Sequence, residues 1–181
     1  VEAYSVWGPT DDGRIKPDVV ANGAGVYSAD SGADNDYNSS GSGTSFAAPQ
    51  AAGTVMLLAE LYEETHGTRP LSSTLKAAVI NTTDEAGPAD GPDYQHGWGL
   101  INASRAADQI VGGPGSGILE GVLEEGCTLD LDFSPGALGD FDVTLCWTDS
   151  AGPQDPDSLN VGNSVLVNDL DVRVIRLDVP T

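Results

Sequence analysis

The hydrophobic period of this chain changes once, across "VGGPGSG" (Val111–Gly117), and no single regular architecture accommodates both sides of that change. Ahead of it the spacing is helical. From Ser45 onward Ala47, Ala48, Ala51, Ala52, Val55, Met56, Leu58, Ala59 and Tyr62 fall on one inner face, until "EETHGTRP" ends the run at Gly67 and Pro70. The early turns are mostly Ala and Gly, which predicts a helix lying inside its domain. A second helix is predicted over Ser72–Thr82, capped by Ser72 or Ser73, with Leu75, Ala78, Val79 and Thr82 buried. A third begins at Asn102, whose side chain can cap the amides ahead of it, with Ala103, Ala106, Ala107 and Ile110 on one side. Upstream, "KPDVVANGAGVYSA" reads as a short strand at Asp18–Ala21, a glycine turn, and an extended piece at Val26–Tyr27. Beyond Gly117 the period is two. "CTLDLDF" sets Leu129, Leu131 and Phe133 against Asp130 and Asp132, "DVTLCW" aligns Val143, Leu145 and Trp147, and "SVLVNDLDVRVI" aligns Leu170, Val172 and Val174. Half-buried antiparallel β-structure is the natural reading. The chain therefore divides into residues 1–111, a Gly/Pro linker over 112–117, and a β-part over 118–181, too short for more than an incomplete sandwich.

Charge excludes some partners. With 7 basic and 28 acidic residues the chain carries a formal charge of −21, so it lacks the basic footprint that nucleic-acid phosphates require. Such acidity fits a well-solvated surface, a high-salt habitat, or Asp-rich calcium sites. The longest apolar run, "TVMLLAEL", is too short to cross a bilayer, so no membrane span is expected. The chain opens at Val1 with no secretory signal, which reads as a start in mid-sequence. Cys127 and Cys146 leave open a single bridge or two buried thiols, and no spacing suggests zinc.

The residue with most chemical promise is Ser45, in "GSGTSFAAPQAAG" (Gly41–Gly53). A nucleophilic serine needs a sharp, exposed turn, donors for the developing oxyanion, and a base. Gly41 and Gly43 allow the turn, and a helix starting at Ser45 aims free amides at a reacting carbonyl. Pro49 leaves the Ser45 carbonyl without its helical donor. A glycine turn into a helix is, by itself, more often a plain cap than an active site.

The neighbouring motifs favour catalysis. "GTSFAAP" (Gly43–Pro49) resembles the G-T-S-M-A-x-P motif of the subtilases, the subtilisin-like serine proteases, with Phe46 in place of Met. "GPTDDGRIKPDVVANG" (Gly8–Gly23) is similar to the segment that precedes that motif, with Asn22 in place of Pro, and "HGWGLINASRAA" (His96–Ala107) resembles the stretch that closes the catalytic domain. The resemblance implies an α/β fold: the C-terminal half of a subtilisin-like parallel sheet with flanking helices, followed by the incomplete antiparallel sandwich. It implies Ser45 as the nucleophile that forms an acyl-enzyme with a peptide carbonyl, its own N–H as an oxyanion donor, and the Thr44 hydroxyl as an assistant. The acid, base and oxyanion Asn of the family come before the serine, and the 44 residues ahead of Ser45 contain neither the Asp nor the His motif. The triad Asp and His are thus expected in a portion of the protease upstream of Val1, and this chain alone is expected to be nearly inert. His66, some 20 residues along the same helix, would stand about 30 Å away. His96 lies in a segment with a structural role in the family. Sedolisins, which also carry G-T-S, are the nearest enzyme alternative, and "KPDVVANG" argues against them. A non-catalytic pseudoprotease fragment acting as a binding or stabilising module is the rival from another class.

"CWTDSAGPQDPDSLNVGNSVLVNDLDVRVI" (Cys146–Ile175) resembles the jelly-roll domain that follows the catalytic domain in some secreted bacterial subtilases. That resemblance implies a secreted protein. No cofactor is needed for the chemistry, and a structural calcium is conceivable at Asp149, Asp155, Asp157, Asp169 and Asp171, although Asp169 and Asp171 also read as a solvated strand face. The substrate implied is a protein or peptide, neutral or basic rather than acidic given the charge.

Overall fold

The computed structural model describes residues 1–112, 117–132, 141–153 and 166–175. Its regular elements follow one another as β1 (Val26–Ala29), β2 (Tyr37–Gly41), α1 (Thr44–His66), α2 (Ser72–Asn81) and α3 (Ala103–Val111). The helices form where the 3.6-residue period predicts them. α1 stops at Gly67, whose φ of 73° and N–H bond to the Glu63 carbonyl make a left-handed cap. α3 starts as expected, with the Asn102 side chain accepting from the Arg105 N–H at 3.0 Å. α2 differs. Leu71, not Ser72 or Ser73, is the capping residue, and no side chain caps the helix. Leu71 already has extended angles and its carbonyl receives the Leu75 N–H, which places both serines inside the first turn.

The core is where the three helices meet. Leu58 and Tyr62 of α1, Val79 of α2, and Ala106 and Ile110 of α3 are buried together, with Val55, Leu75 and Ala107 packed around them. Ala106 at 0% and Ile110 at 1% exposure are the most enclosed. The inner face of α1 is therefore its C-terminal half. In the first turns Ala47, Ala51 and Val55 are only half-buried, while Ala48 and Ala52 are exposed and Met56 is 74% exposed. Small side chains let a helix be approached closely, and Gly23 does so here: a Cβ on it would stand 3.2 Å from the Ala47 Cβ.

Two kinds of strand contact frame the helices. β1 and β2 pair antiparallel, Ala29 opposite Tyr37 and Ser28 opposite Asn38, with an irregularity before Val26 meets Gly41. The expected strand at Asp18–Ala21 survives as a parallel bridge between Val20 and Leu100, the one parallel pairing among the described residues. Its rungs are Trp98 N–H to Asp18 O (2.9 Å), Val20 N–H to Gly99 O (3.0 Å) and Ile101 N–H to Val20 O (3.0 Å). Leu100 also exchanges both backbone bonds with Asp84, at 2.8 and 2.9 Å.

The part beyond the linker contacts the helices through a few groups. Ile118 packs on the core, Thr74 donates to Glu120, and Asn81 Nδ2 donates to Thr144 Oγ1 at 3.1 Å. Its described residues contain no strand, and Leu129, Leu131, Val143 and Leu145 are at least 40% exposed. Phe133, Asp155 and Asp157 lie outside the described residues, as does most of the 112–117 linker. Cys127 and Cys146 are both free thiols.

Candidate active site

Ser45 and Thr44 occupy the first turn of α1, and both are exposed. The turn that delivers them is built from glycines placed where a side chain would collide. Gly43, the capping residue, has φ 152° and ψ 161°, and a Cβ there would come within 3.3 Å of the Ser45 hydroxyl oxygen. A Cβ on Gly41 would stand 2.6 Å from Cε1 of Phe46, so the aromatic ring that replaces the family's Met rests directly on the backbone at the end of β2. The Phe46 N–H closes the turn onto the Gly43 carbonyl at 3.0 Å.

The same turn is held from the other side by the loop after Ala21. Gly43 N–H donates to Gly23 O at 2.8 Å, and the Gly25 N–H donates to the Ser42 hydroxyl at 2.9 Å. Gly23 has no room for a side chain, since a Cβ there would lie 2.8 Å from the Gly43 carbonyl oxygen. A second donor reaches Gly23 O from the start of the chain, the Tyr4 hydroxyl at 2.9 Å. Sequence reasoning singled out Ser45 and missed this clamp. The glycines of "ANGAG" signalled a turn, but nothing in the letters pairs that turn with Gly43 or brings Tyr4 to it.

The cap of α1 has no side-chain hydrogen bond, so its opening amides are not taken up by a capping group. At this end the helix presents N–H donors and the positive end of its dipole beside the Ser45 hydroxyl. Both histidines are committed elsewhere. The His66 ring packs against Tyr62 with centroids 4.3 Å apart and planes tilted by 39°, and its Nε2 lies 3.0 Å from the Ile110 carbonyl oxygen. His96 is buried in the turn from Asp93 to Gly97, its Nδ1 3.4 Å from Asp93 Oδ2. Backbone bonds from His96 and then Gln95 hold the Asp93 carboxyl below its ordinary pKa. Among the described residues no hydrogen bond joins either imidazole to Ser45.

No group of three or more His, Cys, Asp or Glu side chains converges among the described residues in a way that could hold a metal. Asp149, one of the expected calcium ligands, spends its carboxylate on amide donors: Val167 N–H at 2.9 Å, Asn168 N–H at 3.2 Å and Asn168 Nδ2 at 2.6 Å. Burial pushes its pKa up, and those bonds more than reverse that, leaving it lowered. Among the described residues no helix is long and apolar enough to cross a membrane.

Comparison with known proteins agrees with the geometry. The pattern of the Subtilase family matches residues 1–99, from the first loop to Gly99. The C5a peptidase of Streptococcus pyogenes is 37% identical over 111 residues, covering 58% of this chain and 9% of that protein. The subtilisin-like protease SBT3.12 of Arabidopsis thaliana is 32% identical over 109 residues, 52% of this chain and 14% of that protein. The serine protease/ABC transporter B family protein tagA of Dictyostelium discoideum is 29% identical over 204 residues, 95% of this chain and 11% of that protein. The chain thus spans about a tenth of the length of the relatives it matches. A glycine-built turn delivering an exposed serine to the head of a helix, in a stretch wholly covered by the family pattern, leads to one assignment: this chain belongs to the subtilase family.

Proposed function

We propose that this chain carries the nucleophile of a serine endopeptidase, Ser45, within the C-terminal portion of a catalytic domain. The observation that supports the reading is the exposed Ser45 hydroxyl beside uncapped N–H groups at the head of α1, held by the Gly23–Gly43 clamp. In the reaction Ser45 Oγ forms a bond to the carbonyl carbon of the scissile peptide, and its proton passes to a base. The oxyanion is met by the Ser45 N–H, with the Thr44 hydroxyl assisting. Collapse of the tetrahedral species releases the amine, which takes up the proton, and water then hydrolyses the acyl-enzyme. The base, its Asp partner and the oxyanion Asn come before the serine in the subtilases that the motifs resemble, so they belong to an N-terminal portion of the same protease; the engagement of His66 and His96 elsewhere supports this for the base. The substrate is a protein or peptide, and the setting is extracellular, in keeping with the secreted subtilases that the second part resembles.

The test is labelling with a fluorophosphonate probe, read by intact mass, on this chain, on a protein that includes the upstream portion, and on Ser45→Ala forms of both. The expected result is labelling of the longer protein alone, abolished by the substitution. A longer protein that stays unlabelled would favour the second reading, a pseudoprotease module, which the engaged histidines also fit.

A further inference from the structure

The β1–β2 hairpin carries a feature that nucleophile positioning does not use. Tyr27 and Tyr37 stack on one another with ring centroids 6.0 Å apart and planes 23° apart, although they are 71% and 54% exposed. They share a face with Ala29 and Ser39, also exposed, whereas Val26, Ser28, Asn38 and Gly41 on the opposite face are half-buried. Single exposed aromatics are ordinary; a stacked pair standing on the outer face of a hairpin is an apolar surface without a partner among the described residues.

Its surroundings indicate what chemistry it suits. The loop joining the strands contains Asp30, Asp34 and Asp36, and is closed by the Asp30 N–H bond to the Asp36 carbonyl at 2.9 Å. Asp30 is tied down by Asn38 Nδ2 and the Ser31 N–H, and Asp34 is exposed. No Lys or Arg occurs from residue 17 to residue 68. An aromatic face is electron-rich and attracts cations, and a carboxylate rim adds to that attraction while repelling anions. Tyr37 precedes Ser45 by eight residues, so at most about 28 Å of chain separates them, within reach of a peptide lying in the active site.

We propose that the Tyr27–Tyr37 face is a docking surface for an Arg- or Lys-bearing segment of the peptide substrate. This rests on the protease reading for the word substrate, and not for the binding itself. The probe is fluorescein-labelled tetra-arginine amide, followed by anisotropy at about 150 mM salt, where the screening length of ~8 Å suppresses diffuse attraction to the acidic chain. Replacing both tyrosines by Ala is expected to raise Kd roughly 5- to 10-fold, while replacing both by Phe leaves it within about twofold. Asp34→Asn with Asp36→Asn should weaken binding about threefold, which keeps the test decisive should the Ala pair fail to fold. Glu60, Glu63 and Glu64 on α1, changed together to Gln, should leave Kd within about twofold. The proposal fails if wild type does not bind, if the Ala pair binds as tightly as wild type, or if the α1 triple weakens binding equally. It also fails if sedimentation shows the tyrosine face buried in a dimer of this chain. Ser45→Ala should bind the probe unchanged, so a failed labelling experiment and a failed docking experiment are distinct results.

Discussion

Gly43 and Gly53 flank Ser45 within one helix and its cap, and the same substitution should move stability in opposite directions. At Gly43 a Cβ would meet both a φ of 152° and the Ser45 hydroxyl oxygen at 3.3 Å. Gly43→Ala is therefore expected to cost about 1–3 kcal/mol, and to slow fluorophosphonate labelling in a protein that includes the upstream portion. At Gly53, in the middle of α1, a Cβ would meet nothing within 4 Å. Gly53→Ala should stabilise by roughly 0.5–1 kcal/mol, because it removes backbone freedom from the unfolded chain at no steric cost. Urea unfolding of the two variants checks both signs. At this scale the sequence was readable where a short-range rule applies. The Asn102 cap follows from a few adjacent letters. The Tyr4 bond to Gly23 O spans 19 residues and has no local signature.

Among the elements, α3 carries the two most enclosed side chains of the core, Ala106 and Ile110. Ile110, at 1% exposure, is clustered with Leu58 and Tyr62 of α1 and Val79 of α2, and it also offers its carbonyl to His66. Ile110→Ala should cost about 2–5 kcal/mol, seen as a lower urea midpoint with far-UV dichroism as the probe. The helices were legible because their apolar spacing is strong, and α2 was misjudged only at its cap, where Leu71 precedes the serines that looked better suited. β2 was missed because "YNSSG" is polar and small, with no alternation to read. What specifies that strand is the Asp30–Asp36 loop closure and its partner β1. The second part shows the reverse case. Its alternation is clear in the letters, but period two assigns faces and does not supply neighbours, and a strand exists only where another strand pairs with it in a ladder. The described residues there form no ladder.

For the whole molecule, charge is the governing property, and its positive side is spent sparingly. The chain has two lysines, and both reach the same carboxylate: Lys16 Nζ bonds Asp18 Oδ2, and Lys76 Nζ lies 3.3 Å from Oδ1. They join the Asp18–Val20 segment to α2. Partial burial raises the Asp18 pKa, and the Lys16 bond with the charges of Lys76 and Lys16 outweighs that, leaving it below the ordinary value of 3.8. A carboxyl with a depressed folded pKa contributes stability above its unfolded value and loses it as pH falls through the folded one. Asp18→Asn should therefore be less stable than wild type at pH 7, and the gap should close as pH drops below 3.8, measured by urea titration at each pH. Asp93 and Asp149 are lowered as well and weaken in the same window. The segment those lysines anchor continues into the Val20–Leu100 bridge, and Leu100 in turn exchanges bonds with Asp84. Residues 87–92 are exposed and hang from that double tie like the bow of a knot. A protease nick in the bow would leave two polypeptides that still run together as one particle, and would pass unseen on a sizing column until the sample was denatured.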